Sequence, residues 1–193
     1  MSQPSQSSTE AYLAFANLQM AAEAFFVPKT SPAHTTLSVE SAARLDLVTV
    51  LKVGNGHASK FTETQAQEFA VNWKVVAHIG NTTTGFSGTV FEALKPNEAA
   101  GIAVGDQVVS FRSTEFIDDA ARDNQATNKL EIADKGFAFG QIADMVGWVR
   151  ELQAKGVLKD SVKLTGYSLG RIWLRRLTCC NRAVCLRKTA TRQ

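Results

Sequence analysis

The run Val162-Lys163-Leu164-Thr165 leads directly into Gly166-Tyr167-Ser168-Leu169-Gly170, a short apolar stretch feeding a Gly-x-Ser-x-Gly turn. Between a strand and a helix, such a turn holds its serine in a strained backbone conformation that lifts Oγ above the sheet, where it can attack a carbonyl. Glycines two residues either side are needed because a Cβ there would strike the neighbouring strand and helix. A helix opening after Ser168 leaves N–H groups free, so the Leu169 amide can donate to an oxyanion. The chemistry these residues point to is acyl transfer through Ser168. It also needs a base to take the serine proton and an acid to orient that base.

The elements that must position the serine follow from periodicity. In GFAFGQIADMVGWVRELQAKG, Ala138, Ile142, Met145, Val149 and Leu152 recur at spacings of 4, 3, 4 and 3, one face of a helix stopped at Gly156. QVVSFRS before it and DSVKLTGY after it read as buried strands. Strand, helix and strand in this order make a βαβ unit with a parallel pair. Further toward the N-terminus, SSTEAYLAFANLQMAAEAFF predicts an amphipathic helix with Ser7 and Glu10 as a capping box and Leu13, Ala14, Asn17, Leu18, Ala21 and Phe25 on its buried face. Residues 28–44 read as a loop and LDLVTVLKV as a short strand. TETQAQEFAVNWKVVAHI reads as a second helix, capped by Thr64 and Gln67, that buries Phe69, Trp73, Val75 and Val76. Thr89–Leu94 is a further strand, and PNEAAGIAVGD a loop.

Two more segments join the serine turn. Val109-Ser110-Phe111-Arg112-Ser113-Thr114 ends a strand about 55 residues before Ser168, and Gly136-Phe137 opens the helix between them. In this order and at these distances the three parts resemble the class 3 lipases, over roughly residues 87–170. Ser113 stands where that family usually has glycine, and Tyr167 where it usually has histidine. The resemblance implies an α/β-hydrolase serine esterase acting on carboxylic or lipid esters. In it Ser168 is the nucleophile, Thr114 and Leu169 form the oxyanion hole, and the connection over 115–134 covers the site. The expected fold class is α/β, a partial α/β-hydrolase with a mostly parallel sheet, N-terminal helices and an incomplete C-terminal half. Arg112 is expected as a fold-stabilising ion-pair partner, and Asp118, Asp119 and Asp123 as a solvated lid face. His34, His57 and His78 all precede Ser168, against the fold's order of Ser, then Asp or Glu, then His. They are expected as surface or packing residues.

Composition divides the chain. Residues 169–193 hold 7 of its 21 Lys/Arg and none of its 18 Asp/Glu, so the body carries 14 against 18 and gives no argument for nucleic acid. Cys179, Cys180 and Cys185 are the only cysteines; an odd count this closely spaced makes a poor disulfide framework, and no histidine lies nearby to complete a metal site. After Ser168 there is no His, Asp or Glu. Where the resemblance would continue into an apolar helix, Arg171, Arg175 and Arg176 intervene, and burying them unpaired would be costly. RIWLRRLTCCN can be encoded so that the overlapping frame reads HLATAFNLLQ, a good amphipathic helix. The expectation is a truncated, frameshifted hydrolase.

The organisation expected is an N-terminal helix and loop region over 1–60, a lipase-like domain over 61–170, and a basic tail over 171–193. Neither a cofactor nor a metal is expected. The expected partners are a lipid or small ester substrate and a lipid interface, without a membrane span, since no window of 18 apolar residues exists. The N-terminus lacks the basic start and apolar run of a cleaved secretory signal, which leaves cytoplasmic residence and export by another route both open. One alternative is a non-catalytic α/β domain whose basic tail binds a partner; another is a hydrolase that takes its base from the N-terminal half.

Overall fold

The computed structural model describes residues 6–26, 36–55, 59–112 and 139–166. Helices α1 (Gln6–Ala22), α2 (Val39–Ala43), α3 (Leu47–Val53) and α4 (Glu63–Asn72) precede strands β1 (Trp73–Ile79), β2 (Gly88–Ala93) and β3 (Gln107–Phe111); α5 (Phe139–Ala154) and β4 (Val162–Gly166) follow. The strands form one sheet in the order β1-β2-β3-β4, so the chain is of the α/β class. The N-terminal helices fill one face of the sheet. Leu18, Leu51 and Phe69 pack there with Val75, Phe91 and Val108. On the other face, Met145, Trp148 and Val149 of α5 pack on Ala77, Val90 and Val109.

The sheet is not mostly parallel. β1 with β2 and β2 with β3 are antiparallel, and only β3 with β4 is parallel. The connections decide this. Residues 80–87 and 94–106 contain no helix, and short helix-free links return the chain beside itself in the opposite sense. A parallel neighbour needs a crossover, and α5 lies on the one connection that supplies it. The strand–helix–strand unit expected from the sequence is therefore present, and Gly156, at φ +66°, ends its helical segment.

Three local expectations change. WKVVAHI is strand rather than helix: α4 ends at Asn72, and Trp73 is already extended at φ −138°, ψ 145°. The consecutive β-branched Val75 and Val76 suit a pleated strand better than a helix, and pairing with β2 settles it, with a bulge between Val75 and Ala77. The capping box of α4 sits two residues earlier than expected: the Gln65 amide donates to Thr62 Oγ1 at 3.3 Å, and the Thr62 amide to Gln65 Oε1 at 3.0 Å. LDLVTVLKV contains α3 instead of a strand, because Asp46 caps the Thr49 amide at 3.2 Å and Leu47 and Leu51, four apart, share a buried face. Within the expected loop at 28–44, Ser38 caps α2. Helix α1 already begins at Gln6, so Ser7 lies in its first turn, and Leu13 is 60% exposed while Leu18 and Ala21 are buried.

Gly54 joins the helical layer together. It ends α3 at φ 59°, ψ −140°, and its carbonyl accepts from the Phe25 amide at 3.0 Å. A Cβ at this position would lie 1.9 Å from the Ser59 carbonyl oxygen. Gly101 shares the left-handed φ, at +61°, but has open space around it. Gly101→Ala should cost about 1 kcal/mol, the price of the backbone conformation alone. Gly54→Ala should cost at least about 2 kcal/mol more, since backbone must move. Urea midpoints of the two variants check this; equal losses would contradict the close approach of Gly54 to the Ser59 carbonyl.

Candidate functional site

The parallel ladder of β3 and β4 runs from Gln107 opposite Val162 to Phe111 opposite Gly166. The two strands therefore end side by side, pointing the same way. Thr114 is three residues beyond Phe111, and Ser168 and Leu169 are two and three beyond Gly166. Thr114, Ser168 and Leu169 lie outside the described residues, as do Asp118, Asp119, Asp123, His34, His57, the three cysteines and the tail. What the structure describes is the platform from which the serine and Thr114 segments depart.

That platform is polar. His78, Thr89, Ser110 and Thr165 occupy one register row across all four strands, just inside the end at which β3 and β4 finish. His78 Nδ1 lies 2.9 Å from Thr89 Oγ1. Ser110 Oγ donates to Gln19 Oε1 of α1 at 3.2 Å, and Gln19 Nε2 donates to the Phe111 carbonyl at 2.9 Å and to Glu23 Oε1 at 3.1 Å. Arg112, the next residue, is 2% exposed. Its Nε lies 3.8 Å from Glu23 Oε2, its guanidinium carbon stands 4.8 Å over the Phe25 ring, and its amide donates to the Ser87 carbonyl at 3.1 Å. Arg112 thus has the ion-pair role expected of it. On the opposite face Thr84 Oγ1 donates to Asp144 at 2.6 Å and Gln141 Nε2 donates to the Thr84 carbonyl at 2.9 Å, fastening α5 to the 80–87 turn.

His78 is a packing residue. It is buried beside Phe26, with ring centroids 4.5 Å apart. Burial, and then the positive charge of Arg112, push its pKa down to about 3 against a hydrogen bond involving the Gly88 backbone. A group so weakly basic makes a poor general base near neutral pH, which weighs against recruiting this histidine from the N-terminal half.

Sequence reading missed Gln19, Glu23, Thr89, Ser110, Gln141 and Asp144. The signal for two of them was present: Thr89 and Ser110 stand beside the apolar pairs Val90-Phe91 and Val108-Val109 of their strands. Gln19 and Glu23 carry no such mark, because a polar residue on a helix is ordinary until its partner across the fold is known.

An open cavity of about 380 Å³ lies elsewhere, between α2, α3, α4 and β1. Its lining is chiefly apolar, and its two charged residues are engaged, Asp46 with Thr49 and Lys74 with Glu92. Among the described residues no group of three or more His, Cys, Asp or Glu could hold a metal, and no helix is long and apolar enough to cross a membrane. Comparison with family models, curated proteins and solved structures finds no match to this chain.

The buried histidine makes stability depend on pH. Its folded pKa lies below that of an unfolded histidine, about 6.5, so between these values the unfolded chain holds more protons. Its contribution is complete above pH 6.5 and is lost as pH falls, by up to about 1.4 kcal/mol per unit. At pH 5 the carboxylates of Asp46 and Asp106 remain ionised, held low first by hydrogen bonds from the Thr49 and Lys163 side chains respectively. Between pH 7.5 and 5 the chain should lose about 2 kcal/mol that His78→Gln does not lose. Urea unfolding at the two pH values measures it; identical losses in both proteins would refute the neutral, buried histidine.

Proposed function

We propose that these residues form the nucleophile-bearing part of a serine ester hydrolase of the class 3 lipase type, acting on lipid or small carboxylic esters. Ser168 Oγ adds to the ester carbonyl, and the amides of Thr114 and Leu169 receive the developing oxyanion. The observation that carries this reading is the parallel pairing of β3 and β4 up to Phe111 and Gly166. It makes the departure points of the two segments neighbours, and a few residues of chain reach only about 10 Å, so convergence of donor and nucleophile needs no long excursion. The helices on both faces of the sheet are compatible with a partial α/β-hydrolase fold.

The base is the missing part. No histidine, aspartate or glutamate follows Ser168 within the 193 residues, so they do not hold a triad in the order Ser, acid, His. With donors but no base, the reaction keeps the stabilisation of the oxyanion and lacks proton transfer from the serine. The alternative, a non-catalytic domain with a partner-binding tail, draws on the seven Lys/Arg and no acid of residues 169–193; it predicts salt-dependent binding without serine reactivity.

Hydrolysis of p-nitrophenyl butyrate tests the proposal. The chain alone should exceed Ser168→Ala only slightly, because the roughly 10³-fold over water that an oxyanion hole and binding supply without a triad is common to both proteins. Added imidazole, standing in for the absent base, should raise turnover of the chain severalfold more than that of Ser168→Ala. Equal response in the two proteins would remove Ser168 from the chemistry. Rapid unaided turnover abolished by Ser168→Ala would show that a base is already in place.

A further inference from the structure

His78 is 2% exposed near the end of the edge strand β1. The Phe26 ring covers it at 4.5 Å, Thr89 of β2 meets its Nδ1 at 2.9 Å, and its carbonyl accepts from the Leu37 amide at 2.9 Å. Phe26 belongs to a short plug that follows α1. Glu23 and Phe25 of the same plug close over Arg112, and the Phe25 amide donates to the Gly54 carbonyl. Residues 23–26 therefore shut both an imidazole and a guanidinium away from water. Among the described residues, the charged groups around the histidine are Arg112, beyond β3, and Glu23, its ion-pair partner. Thr89 and Leu37 do not titrate, and Lys74, at the other end of β1, is paired with Glu92.

We infer that His78 is an acid-operated latch, which on taking up a proton releases residues 23–26 from the sheet while the strands stay paired. An imidazolium inside this pocket lacks hydration and stands beside the Arg112 cation, whose carboxylate partner is already engaged; water accommodates it far better. Reaching water does not require the chain to unfold. The plug is held by a few local contacts, whereas the sheet is held by its ladders and, on its other face, by a separate apolar cluster that includes α5. Segments with few such contacts open at a lower free energy than the core. Opening bares the imidazolium and Arg112 together, so a fall in pH uncovers a cationic surface at the neighbouring ends of β1 and β3. The latch is independent of the hydrolase reading.

Amide hydrogen exchange of the full chain at pH 7.5 and 5, corrected for intrinsic rates and repeated in low urea, tests it. The Phe25 and Leu37 amides report the plug and the β1 edge, and those of Phe91 and Val108 report the β2–β3 ladder. A histidine in water titrates near 6.5, so the opening equilibrium grows about tenfold per pH unit below that value. Protection of Phe25 and Leu37 should therefore fall about 30-fold between the two pH values. It should be lower than that of Phe91 and Val108 at both, and nearly insensitive to urea because little surface is exposed. His78→Gln, which keeps a neutral polar side chain, should lose the fall. His34 and His57 remain in both proteins, so the difference belongs to His78. Phe25 and Leu37 amides that exchange only with the ladder, at the same protection and urea slope, overturn the inference from the wild-type chain alone. A fall that persists in His78→Gln overturns it as well.

Discussion

The guanidinium of Arg112 is shut away from water at the end of β3, and a buried charge must be met by protein because its hydration is lost. The partners come from the other end of the sequence. Glu23 supplies the opposite charge and Phe25 an aromatic face, which obliges α1 to lie across the sheet with its C-terminal end over β3. The same charge helps keep His78 neutral, so the histidine can be buried beside Phe26 with a hydrogen bond to Thr89. One buried cation thus ties the seat of α1 to the protonation state of His78. Removing either member of the Arg112–Glu23 pair leaves the other charge buried, a larger loss than the pair itself contributes to stability.

The opposite face of the sheet follows a simpler rule. Ala77, Val90 and Val109 present small and branched surfaces to Met145, Trp148 and Val149. Gly88 admits the Trp148 ring so closely that a Cβ would stand 3.0 Å from it. Apolar packing fixes α5 along most of its length, and Gln141 and Asp144 fasten its N-terminal turns to Thr84. Because α5 carries the chain from β3 to β4, its seating makes that pair parallel and brings Phe111 and Gly166 abreast. Two unlike faces, one crossed by a polar row and one packed chiefly by apolar side chains, thus meet on the same strands.

What could be read in the sequence was the unit with the cleanest local signals. The spacing of Met145, Val149 and Leu152, the stop at Gly156 and the short apolar runs on either side gave helix and strands in their observed order. The sense of the remaining strands could not be read so, because antiparallel pairing depends on links that lack a helix, and the Trp73–Ile79 strand had itself been absorbed into a helix. Its apolar residues fit both periods; only the pairing with β2 distinguishes them. LDLVTVLKV failed for the reverse reason, its valines suggesting a strand while the Asp46 cap and the Leu47–Leu51 pair made a helix. Of the candidate site, Arg112 and His78 were legible as structural residues. Thr114, Ser168 and Leu169 rest on motif and resemblance, joined now by the register of β3 and β4. Gln19 was illegible, since its meaning lies in Phe111, far away along the chain.

The proposed hydrolase function requires the Thr114 donor after β3 and Ser168 after β4 to converge. The most direct measurement is the distance from Thr114 N to Ser168 Oγ in a crystal structure of the chain. Oxyanion donor and nucleophile must address the same carbonyl, so the account predicts a separation within about 10 Å, a few times hydrogen-bond reach. A greater separation, with β3 and β4 still paired to Phe111 and Gly166, would contradict it.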